Sequence, residues 1–283
     1  MTDITIELIQ KATLSGLAAA VLAIGVTRVI EYFGGIIGGI MGTLPTTIIP
    51  ASLGLWAQTN GGESFNRSLY AVPAGMCLNA LFLYLWRVLP PYLKIRTLIT
   101  QLLFMSLISL SMWAVGAYIW VHFAATSSDI HRDGFIALVL IILIGLYATW
   151  LPYPAPKGQR SVGLFSLISR GVFAGIAVGS SVLISALGDQ TLAGIASVFP
   201  AIFWTAMLSL WMSQGQAVPA GAVGPMMLGS SSVAVYALCA PSLFNLYGAV
   251  LGALSSFIIA AFCAAIPSYL WINRRIKYSN KGS

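Results

Sequence analysis

The chain reads as an all-α polytopic membrane protein with about nine transmembrane helices in an inverted four-plus-one-plus-four repeat. Three observations lead there. The first is composition: 58% of the 283 residues are hydrophobic and only 7% are charged. From Gln190 to Asn273 there is no Lys, Arg, Asp, Glu or His at all. A bilayer span needs about 20 apolar residues, so that stretch holds about three helices. The uncharged blocks are long and continuous, which indicates helices and not the short alternating strands of a barrel. The second is a duplication. Ala-Val-Pro-Ala-Gly occurs at Ala71–Gly75 and again at Ala217–Gly221. Upstream, Gly39, Ile40, Pro45, Ala51, Leu53, Leu55 and Trp56 recur as Gly194, Ile195, Pro200, Ala206, Leu208, Leu210 and Trp211 in unbroken register. A glycine, a proline and a tryptophan held in one register are not a product of apolar composition alone. The third is the placement of basic residues, which orients the helices.

Apolar blocks predict helices at 12–33, 35–57, 68–90, 97–123, 135–152, 167–187, 190–213, 218–239 and 243–271. They group as a first repeat over 1–124, a linking helix with its loops over 125–165, and a second repeat over 166–283. The acidic start of the chain, with Asp3 and Glu7 before Lys11, lacks the basic flank of a cleaved signal. Loops after odd-numbered helices collect Arg28, Arg87, Lys94, Arg96, Lys157, Arg160, Arg170, Arg274, Arg275, Lys277 and Lys281. The opposite side receives Lys11, Arg67 and Arg132, with every acid except Glu31. The positive-inside rule then predicts an integral membrane protein, in a bacterial inner membrane or its equivalent, with its N-terminus outside and its C-terminus cytoplasmic. Helices 1 and 6 would run in opposite directions, because five spans separate them. That is what makes the repeat an inverted one.

Within this frame Pro45 and Pro200 fall near the middle of helices 2 and 7. Proline removes a backbone donor and clashes with the preceding turn, so both helices should bend or break there. In lipid such a break persists only where protein or a lined cavity satisfies the freed carbonyls. Around the first break stand Thr43, Thr46 and Thr47, and beside the second stands Ser197. Asn79 in helix 3 is the preferred further pocket residue. Broken helices at matching positions of two inverted halves point to a solute site at mid-membrane. The competing reading is a proline kink whose threonines bond back to their own carbonyls.

Other groups carry plainer expectations. The Ala-Val-Pro-Ala-Gly copies should open helices 3 and 8, proline being tolerated in a first turn. Glu31, with Arg28 one turn earlier, is an ion or proton candidate, or a simple i, i+3 pair. Asp129, His131 and Asp133 with nearby His122 read as solvated loop residues in preference to a metal site. Cys77, Cys239 and Cys263 read as small packing residues. No catalytic set and no cofactor or zinc motif is expected, which sets enzymes aside.

The run from Ala193-Gly194 to Phe199-Pro200, opening an apolar helix, resembles the small four-helix inner-membrane proteins of the GlpM type. In those a similar Ala-Gly run followed by Phe-Pro opens the second helix. The first half departs from it, reading Gly38-Gly39-Ile40-Met41-Gly42-Thr43-Leu44-Pro45. The resemblance implies that each half corresponds to one small protein, making the chain a fused form of a dual-topology dimer; it lends no substrate.

The sequence therefore predicts an alternating-access transporter for a small polar or anionic solute, with Thr43, Pro45, Thr46, Thr47, Asn79, Ser197 and Pro200 around its site. A channel, or a non-transporting membrane assembly or scaffold protein, is the alternative. The expected partners are a small-molecule or ion substrate and the lipid bilayer, with a homodimer allowed and no nucleic acid.

Overall fold

The computed structural model describes residues 2–33, 44–93, 95, 97–150 and 163–279. The described residues form helices joined by short turns, with no strand among them. In chain order these are α1 (Thr2–Phe33), α2 (Ile48–Thr59), α3 (Gly62–Val88), α4 (Leu98–Thr126), α5 (Ile130–Trp150), α6 (Leu164–Ala186), α7 (Gln190–Ser197), α8 (Ala201–Gln214), α9 (Ala217–Gly229), α10 (Ser231–Ala260) and α11 (Ile266–Ser279). A π-helical turn, Ala261–Ala265, joins the last two. Seven stretches of the described residues are long and apolar enough to cross a bilayer. Their outward faces carry Leu14, Leu17, Val21, Phe165 and Val250 exposed, as suits a chain whose solvent is lipid. This is the architecture of an integral membrane protein.

Turn chemistry explains where the helices stop. Asn60 takes the left-handed conformation at the C-cap of α2, and Gly61 and Gly62 follow at positive φ. Thr97 accepts a hydrogen bond from the Thr100 amide at the start of α4. Asp189 accepts from the Leu192 amide at 2.9 Å and so caps α7.

These turns gather at two ends of the bundle. At one end Arg67 donates to the Ala124 carbonyl, the Tyr70 ring meets His131, and Asn245 donates to Asn66. At the other end Arg87 donates to the Ala148 carbonyl at 2.7 Å, and Trp271 donates to Thr149. There too the Arg275 guanidinium stacks over Trp150, 4.5 Å from its ring centroid.

Packing is by small residues, as membrane helices require, since lipid offers apolar side chains no reason to leave it. The closest pair is α1 with α6, which run antiparallel. A Cβ on Gly16 would lie 2.7 Å from the Gly175 carbonyl oxygen, and one on Gly179 would lie 3.2 Å from that of Ala12. One on Gly171 would lie 3.2 Å from the Ala20 carbonyl oxygen. Residues with fully buried side chains, among them Ile48, Leu55, Phe65, Leu69 and Phe244, fill the centre.

Three expectations about helix limits are corrected. Helix 3 starts at Gly62 and not at 68, because the left-handed turn at Asn60–Gly62 lets the chain re-enter helix at once. Pro73 is therefore interior to α3, and the first Ala-Val-Pro-Ala-Gly copy opens nothing; the second does open α9 at Ala217. The boundary expected at 240–242 is absent: Pro241 lies inside α10. The chain reverses instead at Gly248, at φ 76° and ψ 177°. A Cβ on Gly252 would lie 2.6 Å from the Phe244 Cα, as only a chain folded back on itself allows. Proline merely bends a helix, whereas the tight reversal here runs through a positive φ that glycine adopts without strain.

Candidate functional site

Helix 7 of the sequence reading is two helices. Between Ser197 and Ala201 the residues Val198, Phe199 and Pro200 leave the α-helical pattern. Pro200 has no amide to donate, so a regular ladder cannot pass through it. The Phe199 amide falls back on the Ala196 carbonyl at 3.0 Å, and the Ala201 amide takes the Phe199 carbonyl at 2.7 Å. The Val198 carbonyl is thereby released from the helix.

Asn79 takes it up. Its Nδ2 donates to the Val198 oxygen at 2.7 Å, while its Oδ1 accepts from Trp113 Nε1 at 2.8 Å. Asn79 is only 2% exposed, so both bonds form in a dry environment. The Trp113 ring in turn lies edge-on to Phe199, with centroids 5.1 Å apart. Small residues bring α3 this close: a Cβ on Gly75 would lie 2.6 Å from Val198 Cγ2, and one on Gly194 would press into the Ser68 carbonyl. The break at Val198–Pro200 is thus fastened by α3 and α4.

The other predicted residues fall as follows. Pro200 is buried at the break. Ser197 is buried one residue before it, and its hydroxyl donates to the Gly194 carbonyl at 2.7 Å, bonding back within its own helix. Pro45 is buried and non-helical, and the Thr46 amide donates to the Leu44 carbonyl at 2.9 Å. Thr46 and Thr47 are partly buried, with Thr47 standing just ahead of α2. Thr43 lies outside the described residues. Arg28 is exposed near the end of α1; Glu31 lies in the last turn of that helix, with its side chain outside the described residues.

Sequence reading did not find Trp113, whose only signal was an indole in the middle of an apolar helix. It also missed Gln190. That amide accepts from Ser68 at 3.0 Å and from Ser185 at 2.7 Å, and its Nε2 donates to the Ser185 carbonyl. Gln101 donates to the nearby Ile95 carbonyl at 2.7 Å. Asp133 is buried against Ser127 and Arg132. Among the described residues no three His, Cys, Asp or Glu side chains gather as a metal-ligand set.

No protein-family model, curated protein or solved structure matches the chain.

Proposed function

We propose that this protein is a secondary transporter for a small polar or anionic solute, working by alternating access between two inverted four-helix halves. The observation that carries the reading is the pair of repeat-related prolines, Pro45 and Pro200. Both stand outside helix, between apolar segments that would otherwise span. The contacts of α1 with α6 support the inversion. Under the repeat offset Gly16 corresponds to Gly171, Ala20 to Gly175 and Ile24 to Gly179. The contact of Gly16 with Gly175 then exchanges with that of Ala20 with Gly171, and Gly16 with Gly179 exchanges with Ile24 with Gly171; all four are close. Trp56 packs on Phe65 at the start of α3 and its counterpart Trp211 packs on Trp86 near its end. Those positions are about 30 Å apart along the helix, as an inverted pair requires.

The solute site lies on the Pro45 side. The break at Val198–Pro200 is closed by Asn79 and Trp113, so Asn79 acts by holding the broken helix and Thr46 and Thr47 contact the solute. At the end bearing Arg67, bonds from Arg67 to Thr191 and from Ser68 to Gln190 join the halves. The same dry closure at Val198 favours a second reading, a non-transporting membrane assembly protein.

The test is uptake into proteoliposomes, screened over small sugars, amino acids and carboxylates. Replacing Thr46 and Thr47 together by Val keeps shape and removes both hydroxyls. Flux of the transported solute should fall at least about tenfold, as expected for lost hydrogen bonds to a substrate, while the melting temperature stays within a few degrees. Undiminished flux with lowered stability would assign the threonines to repair of the helix break. No flux of any screened solute would favour the assembly reading.

A further inference from the structure

A second site lies at the end of the bundle where α3 begins, α4 ends and α6 turns into α7. A cleft of about 420 Å³ opens there, lined by Arg67 and Asp189 with apolar walls from Val121, Ala125 and Leu187. That volume falls within the range of small-molecule pockets, about 300–1,000 Å³. Arg67 is held in place by neutral acceptors: Nε donates to Thr191 Oγ1 at 3.2 Å and Nη2 to the Ala124 carbonyl at 3.1 Å. A guanidinium carries five N–H groups, so most of its planar fork is left for a further acceptor. Asp189 spends one carboxylate oxygen on the Leu192 amide. Among the described residues Arg67 and Asp189 form no ion pair, either with each other or with another side chain.

A cation and a carboxylate, each held by hydrogen bonds, thus share one cleft without forming an ion pair with each other. An anionic ligand would meet Asp189, and a cationic one would meet Arg67. A molecule carrying both charges satisfies both groups. We propose that this cleft binds a small zwitterion of the amino-acid class, its carboxylate on the Arg67 guanidinium and its ammonium on the Asp189 carboxylate. The apolar walls accept a short aliphatic side chain. Binding here is an equilibrium property and does not depend on the transport reading.

The test uses the full-length protein in lipid nanodiscs, with calorimetric titration and thermal shift. The probes are glycine and leucine, with acetate and methylammonium as single-charge controls. Glycine and leucine should bind saturably and raise the melting temperature, and neither control should do so at the same concentration. Asp189→Asn keeps the helix cap, since asparagine caps as well as aspartate. It should weaken binding about tenfold or more, the scale of one charge-assisted contact. Arg67→Gln should do the same; if it fails to fold, Arg67→Lys replaces it, keeping the charge without the fork and again weakening the amino acids. Acetate binding as tightly as glycine, amino-acid binding unchanged in Asp189→Asn, or no saturable binding in the wild type would each overturn the proposal. The Thr46→Val, Thr47→Val double variant should leave this binding intact, which separates the cleft from the solute site proposed at Pro45.

Discussion

Asn79 shows how one side chain makes a broken helix tolerable in lipid. A carbonyl without a partner in the bilayer core costs several kcal/mol, and the Val198 carbonyl has lost its helical donor. The Asn79 amide supplies a donor while its oxygen satisfies the Trp113 indole, so one residue settles two buried groups. Asn79→Ala leaves both unpaired. Each unsatisfied group costs roughly 1–3 kcal/mol, so the variant should lose several kcal/mol of stability in a detergent melt or equilibrium unfolding. Trp113→Phe removes one donor only, and should cost less. An Asn79→Ala protein as stable as the parent would mean that the Val198 carbonyl has another partner.

At the scale of elements, the α1–α6 pair is set by backbone contact. Gly16→Ala places a methyl group 2.7 Å from a backbone carbonyl that cannot rotate away. The two helices must separate, at the 1–3 kcal/mol typical of overpacking, roughly, and the melting temperature should drop. Gly25→Ala in the same helix meets nothing within 4 Å and should be neutral or stabilising by about 0.5 kcal/mol, because alanine is the better helix former. Equal effects of the two substitutions would show that propensity, and not the helix contact, governs the site. Gly248→Ala forces a side chain into positive φ at the reversal within α10, and should destabilise by about 1–2 kcal/mol. Pro241→Ala, inside the same helix, should not lower stability.

For the whole molecule, charge and helix direction together predict orientation. The end holding Arg87, Arg274, Arg275 and Lys277 is basic, while the opposite end holds Glu63, Asp129, Asp133 and Asp189. The basic end should face the cytoplasm. In a background lacking Cys77, Cys239 and Cys263, Gly158→Cys should resist a membrane-impermeant maleimide added outside intact cells. Ser128→Cys, in the turn between α4 and α5, should react. The reverse pattern would invert the topology and leave the bundle itself unchanged.

Local pattern alone determined that the chain is built of long apolar helices. Lipid demands long uncharged helices with their hydrogen bonds closed internally, and that requirement is written residue by residue. The uninterrupted apolar blocks at 97–123 and 167–187 therefore correspond closely to α4 and α6. The interruption at Pro200 was legible for the same reason, because a missing amide is a property of one residue. Tertiary structure decided what the break meets, where the second half turns, and which polar groups share a cleft. Asn79 and Val198 are 119 positions apart, and Arg67 and Thr191 are 124 apart. No local periodicity encodes such partners. Gly248 rather than Pro241 became the reversal because the return helix had to pack directly on Phe244, and among the residues near that point glycine gives both the positive φ and, at Gly252, the close approach.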